Sequence, residues 1–182
     1  MATSEADDRW VVLLRGVNVG GVTIRSADLR ACVEGLGFTG VRTVLASGNV
    51  VVDGTDEPVA EAKRRIEAGL GERFGYDAWV VLVPQRDLAA VVDAFPWDSR
   101  DGWHDYVTFV SEPAVLDELL AGVDALGLDP ETDPVGGGEG VVYWQVPRGG
   151  TLDAPFSKLS SKARYKATTT TRNVRTLRRL LG

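Results

Sequence analysis

VRTVLASGNVVVDG, residues 41–54, decides how this chain folds. Two β-branched runs, Val41–Leu45 and Val50–Val52, flank Ser47-Gly48-Asn49. Gly and Asn tolerate the positive φ of short hairpin turns, so the stretch predicts two antiparallel strands. Both sides of it are helical. Upstream, Leu29, Cys32, Val33 and Leu36 recur at i, i+3, i+4 and i+7, one face of a helix. Ser26 is read as its N-cap, Asp28 suits the first turn, and Gly37 closes it. Downstream, Pro58 suits a first helical turn, and Val59, Ala62, Ile66, Leu70 and Phe74 make the next stripe. The valine-rich runs Trp10–Leu14 and Trp79–Val83 are strands at the two ends.

The order is β-α-β-β-α-β over about 75 residues, the split βαβ unit. Its strands VVLL, VVV and WVVLV do not alternate apolar with polar residues. A sheet with one wet face would alternate, so both faces are expected to be buried. Helices would cover one, and a second domain or another chain the other. Beyond Pro84 the pattern is a helix (Gln85–Phe95), an aromatic loop (AFPWDSRDGW), a strand (Asp105–Val110) and a helix (Pro113–Leu126). DPETDPVGGGEG reads as a long turn with a flexible glycine connection, and GVVYWQV as a strand. KLSSKARYKA is helical or irregular, and RNVRTLRRLL is an amphipathic helix with Val174, Leu177 and Leu181 on one face. The expected divisions are 9–84, a second α/β domain at 85–150, and a basic helical extension at 151–182.

Composition narrows the chemistry. Of 182 residues 44% are hydrophobic and 25% charged, ordinary for a globular chain. No apolar run approaches the roughly 20 residues of a membrane span. MATSEADD is acidic and polar, unlike a secretory signal. One cysteine, Cys32, allows no intrachain disulfide, and a cytoplasmic setting fits best. On its helical face it is expected to be a core thiol. One cysteine and one histidine cannot assemble a zinc site, and no cofactor signature is present. The net charge of −6 conceals an asymmetry. Residues 148–182 hold nine basic side chains and one acid, +8; the other 147 hold 11 and 25, −14. Such asymmetry suits either an anionic partner, including nucleic acid, or docking on the chain's own acidic body.

RGVNVGG, residues 15–21, joins the first strand to the first helix. Gly16–Gly21 matches G-x-x-x-x-G, but Val22-Thr23 follows where a P-loop needs Lys and Ser/Thr. G-x-G-x-x-G is absent too. Topology makes the loop a candidate all the same. In a split βαβ unit the end of strand one, the start of helix one and the turn between strands two and three share one edge. Arg15, Gly16, Asn18, Gly20 and Gly21 should there meet Ser47, Gly48 and Asn49. Bare backbone N–H groups, a helix N-terminus and a guanidinium fork suit an anion.

LLRGVNVGG, SADLRACVEGLGFTGVRTVLASGNVVV and TTTTRNVRTL resemble the bacterial family known as domain of unknown function 1697, DUF1697. The resemblance runs from about Trp10 to Leu181 and is carried most specifically by RG-x-NVGG and SGNVV. It implies an α+β fold: two ferredoxin-like (split βαβ) α/β domains packed together, with a helical C-terminal extension. It implies no activity. Its motifs fall on Arg15, Gly16, Asn18, Gly20, Gly21, Ser47, Gly48, Asn49, Ser157, Lys158, Thr171, Arg172 and Asn173. Where the family continues Trp-Asn-Thr, this chain has Val174-Arg175-Thr176, so no role of that ring carries over.

Three functions compete. A binding module would take a phosphate-bearing ligand, a nucleotide or a nucleic-acid end, at the glycine edge. The third strand, NVVVD, has no ring for stacking bases, which argues against sheet-face RNA binding. An enzyme would use the same cleft, with Asp53 or Asp105 as base; the lone His104 makes a Ser-His-Asp triad a poor fit. An interaction protein would present Trp97, Trp103, Trp144 or Phe156 as anchors, although core is their default place.

Overall fold

A computed structural model describes residues 9–17, 22–45 and 48–182. The chain divides into two units: residues up to Ala90 with Arg178–Gly182, and Val91–Leu177. The first holds β1 (Arg9–Arg15), α1 (Ser26–Gly35), β2 (Arg42–Thr43), β3 (Asn49–Asp53), α2 (Val59–Phe74) and β4 (Trp79–Pro84). Its sheet has the order β2-β3-β1-β4, with every neighbouring pair antiparallel. β3 is antiparallel to both β1 and β2, so those two run parallel with β3 between them, the split βαβ arrangement. Val12, Leu14, Val50, Val52 and Val80 point to the helices and pack with Leu29, Val33, Ile66 and Leu70. Val11, Leu13, Val51 and Val81 alternate to the opposite face and are buried as well. Both faces of the sheet are therefore dry, as unbroken valine runs require. Each such side chain contributes about 1.5–3 kcal/mol when fully buried.

Two local details differ from the sequence pattern. α1 begins at Ser26 itself, and its N-cap position is Arg25, which makes no side-chain cap. Arg25 Nε instead pairs with Asp28 Oδ2 at 2.7 Å, bridging the first turn from outside. β2 is only two residues long because Leu45 adopts φ 59°, a left-handed conformation that takes the chain out of the pleat. Cys32 is buried, with Sγ 3.7 Å from the Gly69 carbonyl, and burial pushes its thiol pKa up.

α3 (Gln85–Asp93) follows Pro84 directly. The second unit then runs β5 (Trp103–Val110), α4 (Pro113–Leu126), β6 (Val135–Gly138), β7 (Val141–Pro147), α5 (Pro155–Ser160) and β8 (Thr169–Asn173). Its sheet order, β6-β7-β5-β8, repeats the first. α6 (Val174–Leu181) closes the chain. The fold is thus α+β, two ferredoxin-like units and a C-terminal helix. The glycine stretch expected to be a flexible connection is a strand: Gly136, Gly137 and Gly138 pair with Tyr143, Val142 and Val141. Missing side chains make room there, since a Cβ on Gly138 would lie 2.6 Å from the Tyr143 ring. In α6 the buried residues are Val174, Leu177 and Leu180, three apart, so Leu180 takes the inward place expected of Leu181.

The second core centres on Trp144. It stacks on Tyr106 at 4.7 Å and meets Phe156 edge-on at 5.6 Å. Its Nε1 donates to Thr108 Oγ1 at 3.1 Å, and the Thr108 and Thr171 hydroxyls meet at 2.8 Å. This polar row ties β7, β5 and β8 together across the buried face. Among the described residues no helix is long and apolar enough to cross a membrane.

Two outcomes follow. Thr108→Val keeps the shape but strands the indole N–H and the Thr171 hydroxyl; we expect about 1–3 kcal/mol lost in urea unfolding. The Tyr76 hydroxyl is buried without a hydrogen-bond partner among the described residues, and burial, aided by Cys32, pushes its phenol up to about 12. Its raised folded-state pKa adds stability below the ordinary value of about 10 that is lost as pH rises through about 12. Ultraviolet titration of the folded protein should show a late phenol that Tyr76→Phe removes.

Candidate functional site

The edge where β1 ends is built from backbone. Leu13 stands opposite Asn49, and the Leu14 N–H donates to the Gly48 carbonyl at 2.9 Å. Gly48 has φ +71°, and a Cβ there would lie 3.0 Å from Leu14 Cβ and 3.3 Å from Val17 Cβ. Only glycine fits both the backbone angle and the space. Asn49 is fully buried; its Nδ2 donates to the Val44 carbonyl at 3.1 Å and its own carbonyl accepts the Val44 N–H at 2.9 Å. It holds the turn from inside.

Arg15 is the last residue of β1, half-buried and opposite Trp79. Burial pushes its guanidinium pKa down. Gly16 follows with φ +77°, exposed, and with open space where a side chain would stand. α1 must carry the chain back between the parallel β1 and β2, so its N-terminus opens on this same edge. The structure therefore brings Arg15, Gly16, Gly48 and Asn49 together. Asn18, Gly20, Gly21 and Ser47 lie outside the described residues.

The C-terminal candidates sit in the second unit. Lys158 is exposed on α5, 3.5 Å from Asp153. The Ser157 carbonyl accepts the Ser161 N–H at 3.0 Å. On β8, successive residues face opposite ways. Thr171 joins the Trp144–Thr108 row, whereas Arg172 stands in register with Val107 on the other face. Arg172 Nη1 donates to Thr170 Oγ1 and to the Thr171 carbonyl, each at 2.8 Å. Burial pushes Arg172 down to about 10. Asn173 Oδ1 accepts the Arg175 N–H at 2.9 Å, capping α6, and its Nδ2 lies 3.5 Å from His104 Nδ1. The sequence signal for this cap is an asparagine directly before an amphipathic run.

The two carboxylates considered as bases are otherwise placed. Asp53 ends β3 opposite Arg9, at the far end of the sheet from Arg15, and accepts from Thr39 Oγ1 at 2.9 Å. Asp105, on β5, accepts from Ser99 Oγ at 2.5 Å and Gln145 Nε2 at 2.8 Å, which ties the loop before β5 to β7. Of the aromatic residues, Trp144 and Phe156 are core, and Trp97 and Trp103 are half-buried. Among the described residues no group of three or more His, Cys, Asp or Glu could hold a metal ion.

A family model described as "Protein of unknown function (DUF1697)" matches residues 8–143. The solved structure of the conserved bacterial protein SP0830 from Streptococcus pneumoniae is similar with a TM-score of 0.77. It is 23% identical, and the match covers 96% of this chain and 98% of that one. At that identity the likeness speaks for the fold. No curated protein matches.

Gly48→Ala tests how firmly this edge is fixed. It forces a left-handed alanine against Leu14 and Val17, and we expect about 2–4 kcal/mol of destabilisation by chemical denaturation. Gly16→Ala, with open space around it, should cost only about 1 kcal/mol of backbone strain.

Proposed function

The chain belongs to the DUF1697 family, a membership that brings a fold and no reaction, and from the residues themselves we propose that the β1 edge binds a phosphate-bearing ligand. The class is a nucleotide or a nucleic-acid end, held between the Gly16–Gly21 loop and the Ser47–Asn49 turn. One observation carries the proposal: a guanidinium half withdrawn from water, at a strand end, beside a glycine with open space. A desolvated cation gains more from an anion than an exposed one does. The planar fork of Arg15 suits two phosphate oxygens at once. Backbone N–H groups of a glycine loop and the start of α1 would supply further donors, with Asn18, Gly20, Gly21 and Ser47 contributing from the loop and turn. Asn49 serves from behind by holding the turn. The enzyme reading loses support, because Asp53 belongs to the opposite edge and Asp105 is held by Ser99 and Gln145.

The test is an amide NMR titration of the whole chain with ADP and, separately, with a 5′-phosphorylated dinucleotide. Saturable shifts are expected at Gly16, Val17 and Gly48. Arg15→Gln should weaken binding by about tenfold or more, the loss of one charge-assisted hydrogen bond, while leaving the spectrum folded. Equal shifts with unphosphorylated adenosine would sink the phosphate assignment, and shifts confined to residues 150–182 would sink the site.

A further inference from the structure

Most cations on or beside the other helices are neutralised locally, Arg73 of α2 standing instead over the Phe74 ring. Arg25 and Asp28, Arg30 and Glu34, Lys63 and Glu67, and Glu61 and Arg64 pair three or four residues apart. α6 departs from this habit. Its sequence, VRTLRRLL, holds three arginines and no acid. Arg175, Arg178 and Arg179 stand at i, i+3 and i+4, one face of the helix, and all three are exposed. None of them pairs with a carboxylate among the described residues. The buried stripe Val174, Leu177 and Leu180 fixes which way the helix faces, and the Asn173 cap fixes where it starts.

Stability does not account for this face. Like charges four apart, here Arg175 and Arg179, weaken a helix. Arg178 and Arg179 lie in the last turn, where the helix dipole favours cations. Arg175 is in the first turn, where the dipole disfavours them. We propose that the Arg175–Arg178–Arg179 face docks the phosphate backbone of a nucleic-acid duplex. A rigid row of guanidinium forks answers a repeating row of phosphates. The face carries no exposed aromatic or large apolar side chain, so it neither stacks unpaired bases nor inserts into lipid. Contact is to backbone alone and independent of sequence. With a net charge of −6 on the whole chain, attraction is local and binding is a low-salt property. The inference stands apart from the Arg15 edge.

Fluorescence anisotropy of the full chain with a labelled DNA duplex, titrated over a range of salt, decides it. Three phosphate contacts predict that log K falls against log salt with a slope of about −3. The triple variant Arg175→Gln/Arg178→Gln/Arg179→Gln, all exposed positions, should keep its circular dichroism and lose about tenfold or more in affinity. If the triple variant does not fold, each single variant should lower the slope by about one. Arg30→Gln, an exposed arginine of α1 paired with Glu34, should leave duplex binding unchanged. The proposal is overturned if no duplex binds at low salt, if the variants bind as the parent does, or if polyglutamate competes equally. It is also overturned if the arginines instead govern capture by phosphatidylserine vesicles, or a salt-sensitive dimer seen in sedimentation, with no effect on duplex binding.

Discussion

The hydrogen bond from the Leu14 N–H to the Gly48 carbonyl is where the first unit's sheet is closed against its own turn. β1 is the inner strand, paired with β3 on one side and β4 on the other. Its last residues can keep both partners only if the turn into β3 comes close without a side chain. Gly48 supplies both conditions, a positive φ and no Cβ against Leu14 and Val17. Buried Asn49 then fastens the turn to Val44 from below. Arg15 inherits its position from this arrangement, because the register that ends at Leu13–Asn49 leaves the next residues of β1 at the sheet's margin. The candidate site follows from how the sheet ends.

The second unit closes its sheet in the same way and adds side-chain bonds. β5 occupies the place of β1, between β7 and β8. As in the first unit, a glycine turn meets the end of the inner strand: the Val110 N–H donates to the Gly140 carbonyl at 2.9 Å, and Gly140 has φ +68°. Side chains add a second tie. Trp144, Thr108 and Thr171 form a hydrogen-bonded row across three strands. Thr108 and Thr171 are directly opposite in register, so their contact also sets which residues of β8 face the helices. A one-residue slip would turn Arg172 into the Trp144 core and Thr171 out of it.

Much of the first unit is legible in the sequence because its signals are local. Helical stripes, valine runs and the Ser47-Gly48-Asn49 turn each act within a few residues, and together they imply the strand order. The N-cap of α1 is misread because a serine beside an arginine reads the same whether it stands just before the helix or in it. In the second unit, Gly136–Gly138 looks like a loop because the glycines are explained by Trp97, Leu120, Val141 and Tyr143, residues of other elements and of a distant loop. TTTTRN does not announce a strand for the same reason: its partner, β5, lies some sixty residues upstream, as the Thr108–Thr171 separation of 63 shows. The candidate residues are legible as a set but not as a geometry. Thr171 and Arg172 are neighbours in sequence and face opposite sides of one sheet.

The +8 of the C-terminal segment resolves into three unlike populations. Lys158 and Arg164 meet acids of the same unit, Asp153 and Glu118. Arg172 is drawn inside, where its hydrogen bonds run to a threonine hydroxyl and a backbone carbonyl. The arginines of α6 face water, as do Arg148, Lys162 and Lys166. The internal population explains why arginine rather than lysine stands at position 172. Burial pulls this group down to about 10, and arginine still keeps its proton there at neutral pH. A lysine starts about two units lower, so the same burial would bring it close to losing its charge. The fork also reaches two acceptors from one nitrogen while the rest of the guanidinium stays planar and protonated. Charge that survives burial is thus a property of the residue type, and it is the type found at Arg15, which ends β1, and at Arg172 within β8, where burial lowers the pKa.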